Sequence, residues 1–283
     1  IGNKLKIGVG ADGNGNTLVI SSNATVTVSG IATIGSNADN NLMEITGTNA
    51  LFNALTNFVI GAGEASGNEF AITEGTAIVE GDLIIGRDLD STGNSGTVSG
   101  SNSTLQVLSD IYVGKNGSEN TLTVSDGALL EAINVYVGFT TNSLKNTLSI
   151  TGSNTMANII GNLYAGYEGE NNLIEILDGA SLTVFNAYVN NQITVSGSNT
   201  LFNVVNDMLL GDAFMDLSDQ TSVLIGNDLS LSNSFLGIDV GSQVVVDGNY
   251  SQDELSTLAV RVSTNYATTN LTVVKTASFA KNT

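Results

Sequence analysis

The sequence places one small set of oppositely charged side chains where chemistry could occur. Arg87 and Lys115 each directly follow a glycine that ends an apolar strand, and Asp88 and Asp90 lie beside Arg87. An arginine or lysine that acts as a base beside Ca²⁺-binding carboxylates can cleave acidic polysaccharides. A polysaccharide lyase or hydrolase is therefore our alternative function, although a solvated loop explains these residues more simply. A strongly acidic chain would also repel polyuronates.

A second candidate is a short motif near the start of the chain. Asp12, Asn14 and Asn16 match the first half of a calcium-binding loop, D-x-N-x-N. The glycine and the glutamate that such loops carry at positions six and twelve are missing, because Thr17 and Asn23 stand there. Ca²⁺ is thus the one cofactor that the sequence suggests, and we expect no other metal or cofactor.

Four tyrosines recur at equivalent positions of successive repeats: Tyr112, Tyr136, Tyr164 and Tyr188. They predict either an aromatic stack within the wall of the fold or an exposed stripe that stacks on sugar rings. Ile111 and Val113 flank Tyr112, so the tyrosine faces away from them in a strand. If the two aliphatic residues point inward, the tyrosines point outward.

The composition excludes several classes of function. None of the 283 residues is Cys, His, Pro or Trp, which rules out thiol and imidazole catalysis and disulfides. Eight basic residues against 27 acidic ones give a net charge of −19, which opposes binding to nucleic acid or anionic lipid. No apolar run approaches the roughly 18 residues of a membrane span, so we expect no direct membrane insertion.

These residues sit on an internal repeat. An asparagine opens each unit, and four successive spacings between these asparagines are 26 residues. The last spacing is 19, because the unit that begins at Asn172 has Asn190 where a closing glycine is expected and lacks the loop that follows it. The opening asparagines are Asn41, Asn68, Asn94, Asn120, Asn146, Asn172 and Asn191, and the closing glycines are Gly61, Gly86, Gly114, Gly138, Gly166 and Gly211.

The repeat predicts an all-β fold. Each unit of about 26 residues has three short alternating strands, which fits one coil of a parallel β-helix, or β-solenoid. We expect a right-handed helix, by analogy with parallel crossovers. The stacked asparagines would form a hydrogen-bonded ladder, and the glycines would supply positive φ at a corner. The absence of proline supports this fold, because almost every strand N–H must donate to the next coil.

The pattern divides the chain into three parts. Residues 1–15 are predicted as an N-terminal cap or joint, and residues 16–249 as the β-helix, regular to about residue 211. Residues 250–283, which are poor in glycine, are predicted as a C-terminal cap or joint.

The run from Asn146 to Asn154, NTLSITGSN, followed by Leu163-Tyr-Ala-Gly-Tyr167, resembles the repeat of autotransporter (type V secretion) passengers and PEP-CTERM-associated surface proteins. Asn120-Thr-Leu-Thr-Val124 and the tail after Tyr250 are similar to the same proteins. The resemblance implies a secreted β-helix at a bacterial cell surface, and it supplies no catalytic residue.

We therefore expect an extracellular, non-catalytic structural or adhesive protein: an adhesin, matrix scaffold or stalk. Its expected partners are glycans or host and cell-surface molecules, and further copies of itself if the ends join head to tail into filaments. An ice- or mineral-binding surface is a third hypothesis, but outward threonine columns do not persist across the coils.

Overall fold

A computed structural model describes residues 2–262 and 270–280 of the chain. All strand pairs between these residues are parallel, and the strands wind into a β-solenoid of eleven coils with three faces. The predicted fold class is thereby confirmed. Ile1, residues 263–269 and residues 281–283, which belong to the two predicted terminal segments, lie outside the described residues.

The first face is an 11-stranded sheet, and each of its strands follows a ladder asparagine or the residue that replaces it. Its strands are β2 (Thr17–Ile20), β5 (Leu42–Thr46), β8 (Glu69–Thr73), β11 (Ser95–Ser99), β14 (Thr121–Ser125), β17 (Thr147–Thr151), β19 (Leu173–Leu177), β21 (Gln192–Ser196), β24 (Phe214–Leu217), β27 (Phe235–Ile238) and β30 (Thr257–Val260).

The second and third faces together make a 21-stranded sheet. The second face contains β3 (Thr25–Val28), β6 (Leu51–Ala54), β9 (Thr76–Val79), β12 (Thr104–Val107), β15 (Leu129–Ala132), β22 (Leu201–Val204), β25 (Ser222–Ile225), β28 (Gln243–Val246) and β31 (Asn270–Val273). The third contains β1 (Leu5–Val9), β4 (Ala32–Ser36), β7 (Phe58–Ala62), β10 (Leu83–Ile85), β13 (Asp110–Val113), β16 (Asn134–Val137), β23 (Met208–Gly211), β26 (Leu229–Ser232), β29 (Tyr250–Gln252) and β32 (Ala277–Phe279).

Two long strands join these faces. β18 (Met156–Ala165) and β20 (Ser181–Val189) begin on the second face and end on the third, and the register between them shifts between Ile159 and Asn162. The corner between the two faces is therefore shallow enough for strands to run through it.

The alternation of side chains explains the core. In β14, Leu122 and Val124 point inward and are completely buried, whereas Thr121, Thr123 and Ser125 point outward. The same pattern on all three faces produces one apolar column along the solenoid axis. Each buried aliphatic side chain contributes about 1.5–3 kcal/mol relative to exposure, so this column is the main source of stability.

The opening asparagines form a continuous ladder from Asn16 to Asn191. From Asn16 to Asn172, the backbone N–H and the side-chain Nδ2–H of each asparagine both donate to Oδ1 of the asparagine one coil on, and Asn191 is the last acceptor. From Asn94 to Oδ1 of Asn120 the distances are 3.0 Å from N and 3.1 Å from Nδ2. Nδ2 of Asn94 also donates to the carbonyl of Ala65 in a neighbouring loop, at 3.0 Å. The ladder thus links the loops at this corner to the starts of the first-face strands through hydrogen bonds.

The glycine column exists because the ladder needs room. Gly114 has a φ of +75°, and a Cβ there would lie 2.2 Å from Cγ of Asn146. Gly61, Gly86, Gly138 and Gly166 are placed in the same way, and so are Gly8 and Gly35, which the repeat did not single out.

Gly211 corrects the prediction that every closing glycine adopts positive φ. Its backbone lies outside the left-handed region, and a Cβ there would approach Oδ1 of Asn190, which is not a ladder residue. The physical reason is that the asparagine ladder has already ended at Asn191.

The solenoid continues after Gly211 with a different corner. Ala213, Ser234 and Ser256 stand where earlier coils have asparagine. The hydroxyls of the two serines accept hydrogen bonds from the preceding corner: Ser234 Oγ from Ala213 N at 3.0 Å, and Ser256 Oγ from Ser234 N at 3.1 Å. Both predicted terminal segments contribute strands, because β1 pairs with β4 and β29 to β32 extend the three faces.

Candidate functional site

The four predicted tyrosines form a single column on the outside of the third face. Tyr112, Tyr136 and Tyr164 are paired in register, with ring centroids 5.0 Å and 4.7 Å apart and planes within 8°. Tyr188 continues the column at 5.1 Å from Tyr164. Because the rings stack on one another, their faces are covered inside the column; Tyr112 is buried, and Tyr136, Tyr164 and Tyr188 are half-buried.

Residues after the closing glycines fold back over this column. The ring of Phe139 stacks on that of Tyr167 at 5.2 Å, and both stand edge-on to the tyrosines. Nζ of Lys115 lies 4.3 Å from the ring centroid of Tyr112, a cation–π contact. The column is thus part of the wall as well as part of the surface.

Burial changes the titration of these phenols. It raises the pKa of Tyr112 far above the ordinary value of 10, with a further contribution from the negative charges of Asp110 and Asp82. Burial likewise raises the pKa of Tyr136 and Tyr164. These three phenols therefore stay neutral to a higher pH than a free tyrosine.

Arg87 and Lys115 are each engaged locally rather than in one pocket. Arg87 Nη2 lies 2.9 Å from Oδ2 of Asp88, which also accepts a hydrogen bond from Gly63 N at 2.6 Å. Burial raises the pKa of Asp88, but these hydrogen bonds and the Arg87 charge outweigh it and hold the pKa below its usual value. Lys115 points at Tyr112 instead, and Asp90 lines a separate shallow depression.

The Asp12–Asn16 motif forms a turn of the first coil. Oδ1 of Asn14 accepts a hydrogen bond from Asp39 N at 2.6 Å, and Nδ2 of Asn16 donates to Gly13 O at 2.8 Å and to the ladder. Asp12 is exposed. Across residues 2–262 and 270–280, three or more acidic side chains nowhere come together in a way that could hold a metal ion.

A ridge of exposed apolar side chains was not predicted. It runs along the corner between the second and third faces in five successive coils, where its residues are 37% to 74% exposed: Leu108, Ile133, Ile160, Phe185 and Val205. Shallow apolar depressions of ≈ 250 and ≈ 230 Å³ lie between neighbouring ridge residues. Contiguous exposed apolar surface of this kind marks interaction sites in soluble proteins. The signal in the sequence was an apolar residue that extends the second alternating stretch in these five coils, which resembles a core residue.

A notch with a volume of ≈ 760 Å³ lies at the ladder corner. It lies beside the coil whose loop is missing, between Tyr167 on one side and Phe214 on the other. The 19-residue spacing signalled the missing loop in the sequence, but not the depression that it leaves.

In the part of the chain that the structure describes, no helix is long and apolar enough to cross a membrane. In comparisons with known proteins, no family model, curated protein or solved structure matches this chain.

Proposed function

We propose that this protein is a non-catalytic structural and adhesive rod that acts at a bacterial cell surface through the side faces of its solenoid. The observation that carries the proposal is the apolar ridge from Leu108 to Val205. Five apolar side chains in successive coils are exposed to water, which is energetically unfavourable. A bound partner would cover this apolar surface.

The engagement of the basic residues supports binding over catalysis. Arg87 is paired with Asp88, and Lys115 is held over Tyr112, so neither cation is aimed at a shared depression with free carboxylates. A base for polysaccharide cleavage needs to reach the proton that it removes. Lyase or hydrolase activity is therefore the result that would overturn the proposal.

Head-to-tail assembly is part of the same proposal. The outer edges of β1 to β3 at one end, and of β30 to β32 at the other, pair with no strand of the described residues. Unpaired parallel edges are templates for pairing with another copy, and such contacts extend into filaments because they do not close.

The extracellular location rests on the resemblance of the repeat to secreted surface proteins. Antibody labelling of intact cells of the source bacterium tests it: we expect the cells to be labelled without permeabilisation. Labelling that appears only after lysis would overturn the location.

One incubation tests binding against catalysis. Purified protein is mixed with polysaccharide extracted from the envelope of the source bacterium, with and without Ca²⁺, and both bound protein and newly released reducing ends are measured. We expect retention without release. Release that disappears in Arg87→Gln or Lys115→Gln would establish the enzyme instead.

A further inference from the structure

The notch exists because one coil lacks its loop. In earlier coils a loop follows the closing glycine and covers the ladder corner, and the last of these spans residues 167–171. The next coil passes directly from Val189 through Asn190 to the ladder residue Asn191. The upper side of the last loop is therefore left open, and the notch forms above it.

The floor of the notch carries an aromatic platform. One face of the Tyr167 ring stacks on Phe139, and no ring of the following coil, within the described residues, stacks on the other face. Tyr167 is 47% exposed and lines the notch. Phe214 lies on the far side, where its own ring stacks on Phe235 at 4.9 Å. Each ring thus packs against a neighbouring ring.

Polar groups surround the platform. The side chains of Glu168, Glu170 and Gln192 line the notch, and none of them makes a hydrogen bond or ion pair with another described residue. Asn190 donates to the carbonyl of Gly166 at 3.1 Å. The carboxylates can accept hydrogen bonds, and the amide of Gln192 can both donate and accept.

We propose that this notch is a binding subsite for a neutral sugar ring. An open aromatic face packs against the C–H face of a pyranose, while free carboxylate and amide groups meet its hydroxyls. The volume of ≈ 760 Å³ lies within the range of about 300–1,000 Å³ that is usual for small-ligand pockets. This inference rests on the proposed adhesive function and gives it a ligand class.

Charge selects against acidic sugars. Glu168, Glu170 and Asp212 line the notch, and its described lining contains no lysine or arginine. A carboxylate on the sugar would meet like charges without a compensating cation. The subsite therefore takes neutral glycans and rejects uronic acids.

Saturation-transfer NMR and titration calorimetry test the inference, with neutral methyl pyranosides (gluco, galacto and manno) and glucuronate as probes. For at least one neutral glycoside we expect a Kd on the order of 1 mM, as is typical for such a small ligand. Glucuronate should bind at least tenfold more weakly. Absence of binding by every neutral probe, or tighter binding of glucuronate, would overturn the inference.

Variants locate the binding. Tyr167→Ala should weaken it at least tenfold, while Tyr167→Phe keeps the platform and should bind within threefold of the wild type. Glu44→Gln, on the first face away from the notch, should change nothing. Thermal melting checks that each variant folds, which we expect because Tyr167 is exposed. Equal binding by Tyr167→Ala and wild type would contradict the assignment.

The subsite and the adhesive function fail independently. A protein that binds source cells but no neutral glycoside disproves the subsite alone. A protein that binds glycosides in the notch but is not retained on cells disproves the adhesive function alone.

Discussion

At the scale of single residues, the structure assigns different work to asparagine, glycine and tyrosine. The asparagines hold the coils together from inside, and the glycines make room for them. The tyrosines of the third face stack on one another and form part of the wall of the solenoid, and most of them are still partly exposed to solvent. The sequence predicted the ladder from spacing alone, since only a stacked corner requires one residue type at a fixed interval. It left the tyrosines open between two interpretations, because strand alternation does not report which loop residues fold back over them.

Asn120→Ala tests the ladder. Asn120 is completely buried, and its loss leaves the backbone N–H of Asn94 and one of the two Nδ2 hydrogens of Asn94 without an acceptor. An orphaned buried polar group costs about 1–3 kcal/mol, so the free energy of unfolding should fall by at least this amount. Urea denaturation measures it. The control, Asn102→Ala, removes one exposed hydrogen bond to Glu74 and should cost less than about 0.5 kcal/mol. Equal effects of the two substitutions would contradict the ladder's role.

The tyrosine column predicts an alkaline transition. The pKa values of Tyr112, Tyr136 and Tyr164 are raised in the folded state, so the neutral phenols stabilise the fold below pH 10. This contribution is lost as the pH rises above 10 through the folded-state pKa values. Burial also raises the pKa of Tyr250, to about 12.

An ultraviolet titration of tyrosinate follows these groups. We expect four of the seven tyrosines to ionise late, together with a loss of thermal stability above pH 10. Tyr112→Phe should remove part of the late phase. A single transition near pH 10 that includes every tyrosine would show that the column is open to water.

At the scale of elements, the corners of the solenoid are less regular than its strands, and they carry the features that the sequence did not predict. The strands follow from alternation and were predictable, and so was the ladder corner. The corner between the second and third faces was not, because Ile160 and Phe185 extend apolar strands and resemble core residues in sequence. Only the register, in which β18 and β20 run through that corner, reveals that these side chains point to solvent. The notch was not predictable from the sequence either, because its lining residues come from different coils.

Two substitutions, Gly114→Ala and Gly93→Ala, distinguish the cost of a steric clash from the cost of an unfavourable backbone conformation. Both glycines have positive φ, but a Cβ at Gly114 meets Asn146 whereas a Cβ at Gly93 meets no atom within 4 Å. Both alanines carry the left-handed cost of about 1–2 kcal/mol. Only Gly114→Ala adds an overpacking cost of about 1–3 kcal/mol. The denaturation midpoint of Gly114→Ala should therefore be lower than that of Gly93→Ala. Equal midpoints would mean that the Asn146 side chain moves aside at little cost.

At the scale of the whole molecule, the chain is a rod of about 50 Å, from eleven coils at about 4.8 Å each. Its net charge of −19 opposes contact between copies, whereas the proposed assembly would use the apolar ridge and the outer strand edges. The composition excludes thiol and imidazole chemistry, and a protein that works through shape stays a prediction. The tail after residue 250 looked distinct in sequence because its spacing and glycine content change, yet β29 to β32 keep the same register.

Salt should therefore promote assembly. Raising the ionic strength from about 0.01 M to 1 M shortens the Debye length from about 30 Å to about 3 Å and screens the repulsion between acidic rods. We expect a larger mean mass in sedimentation velocity at high salt, with filaments in electron micrographs. A mass that falls with salt would mean that ion pairs, not apolar and edge contacts, join the copies.

The most direct measurement is the retention of labelled protein on intact cells of the source organism. The wild type is compared with Ile160→Ser/Phe185→Ser on the ridge, and with Val19→Ser/Leu255→Ser, which removes two exposed apolar side chains elsewhere. The adhesive function predicts that the wild type and the control variant bind alike and that the ridge variant binds at least tenfold less. Absence of wild-type binding, or equal binding by all three proteins, would contradict it.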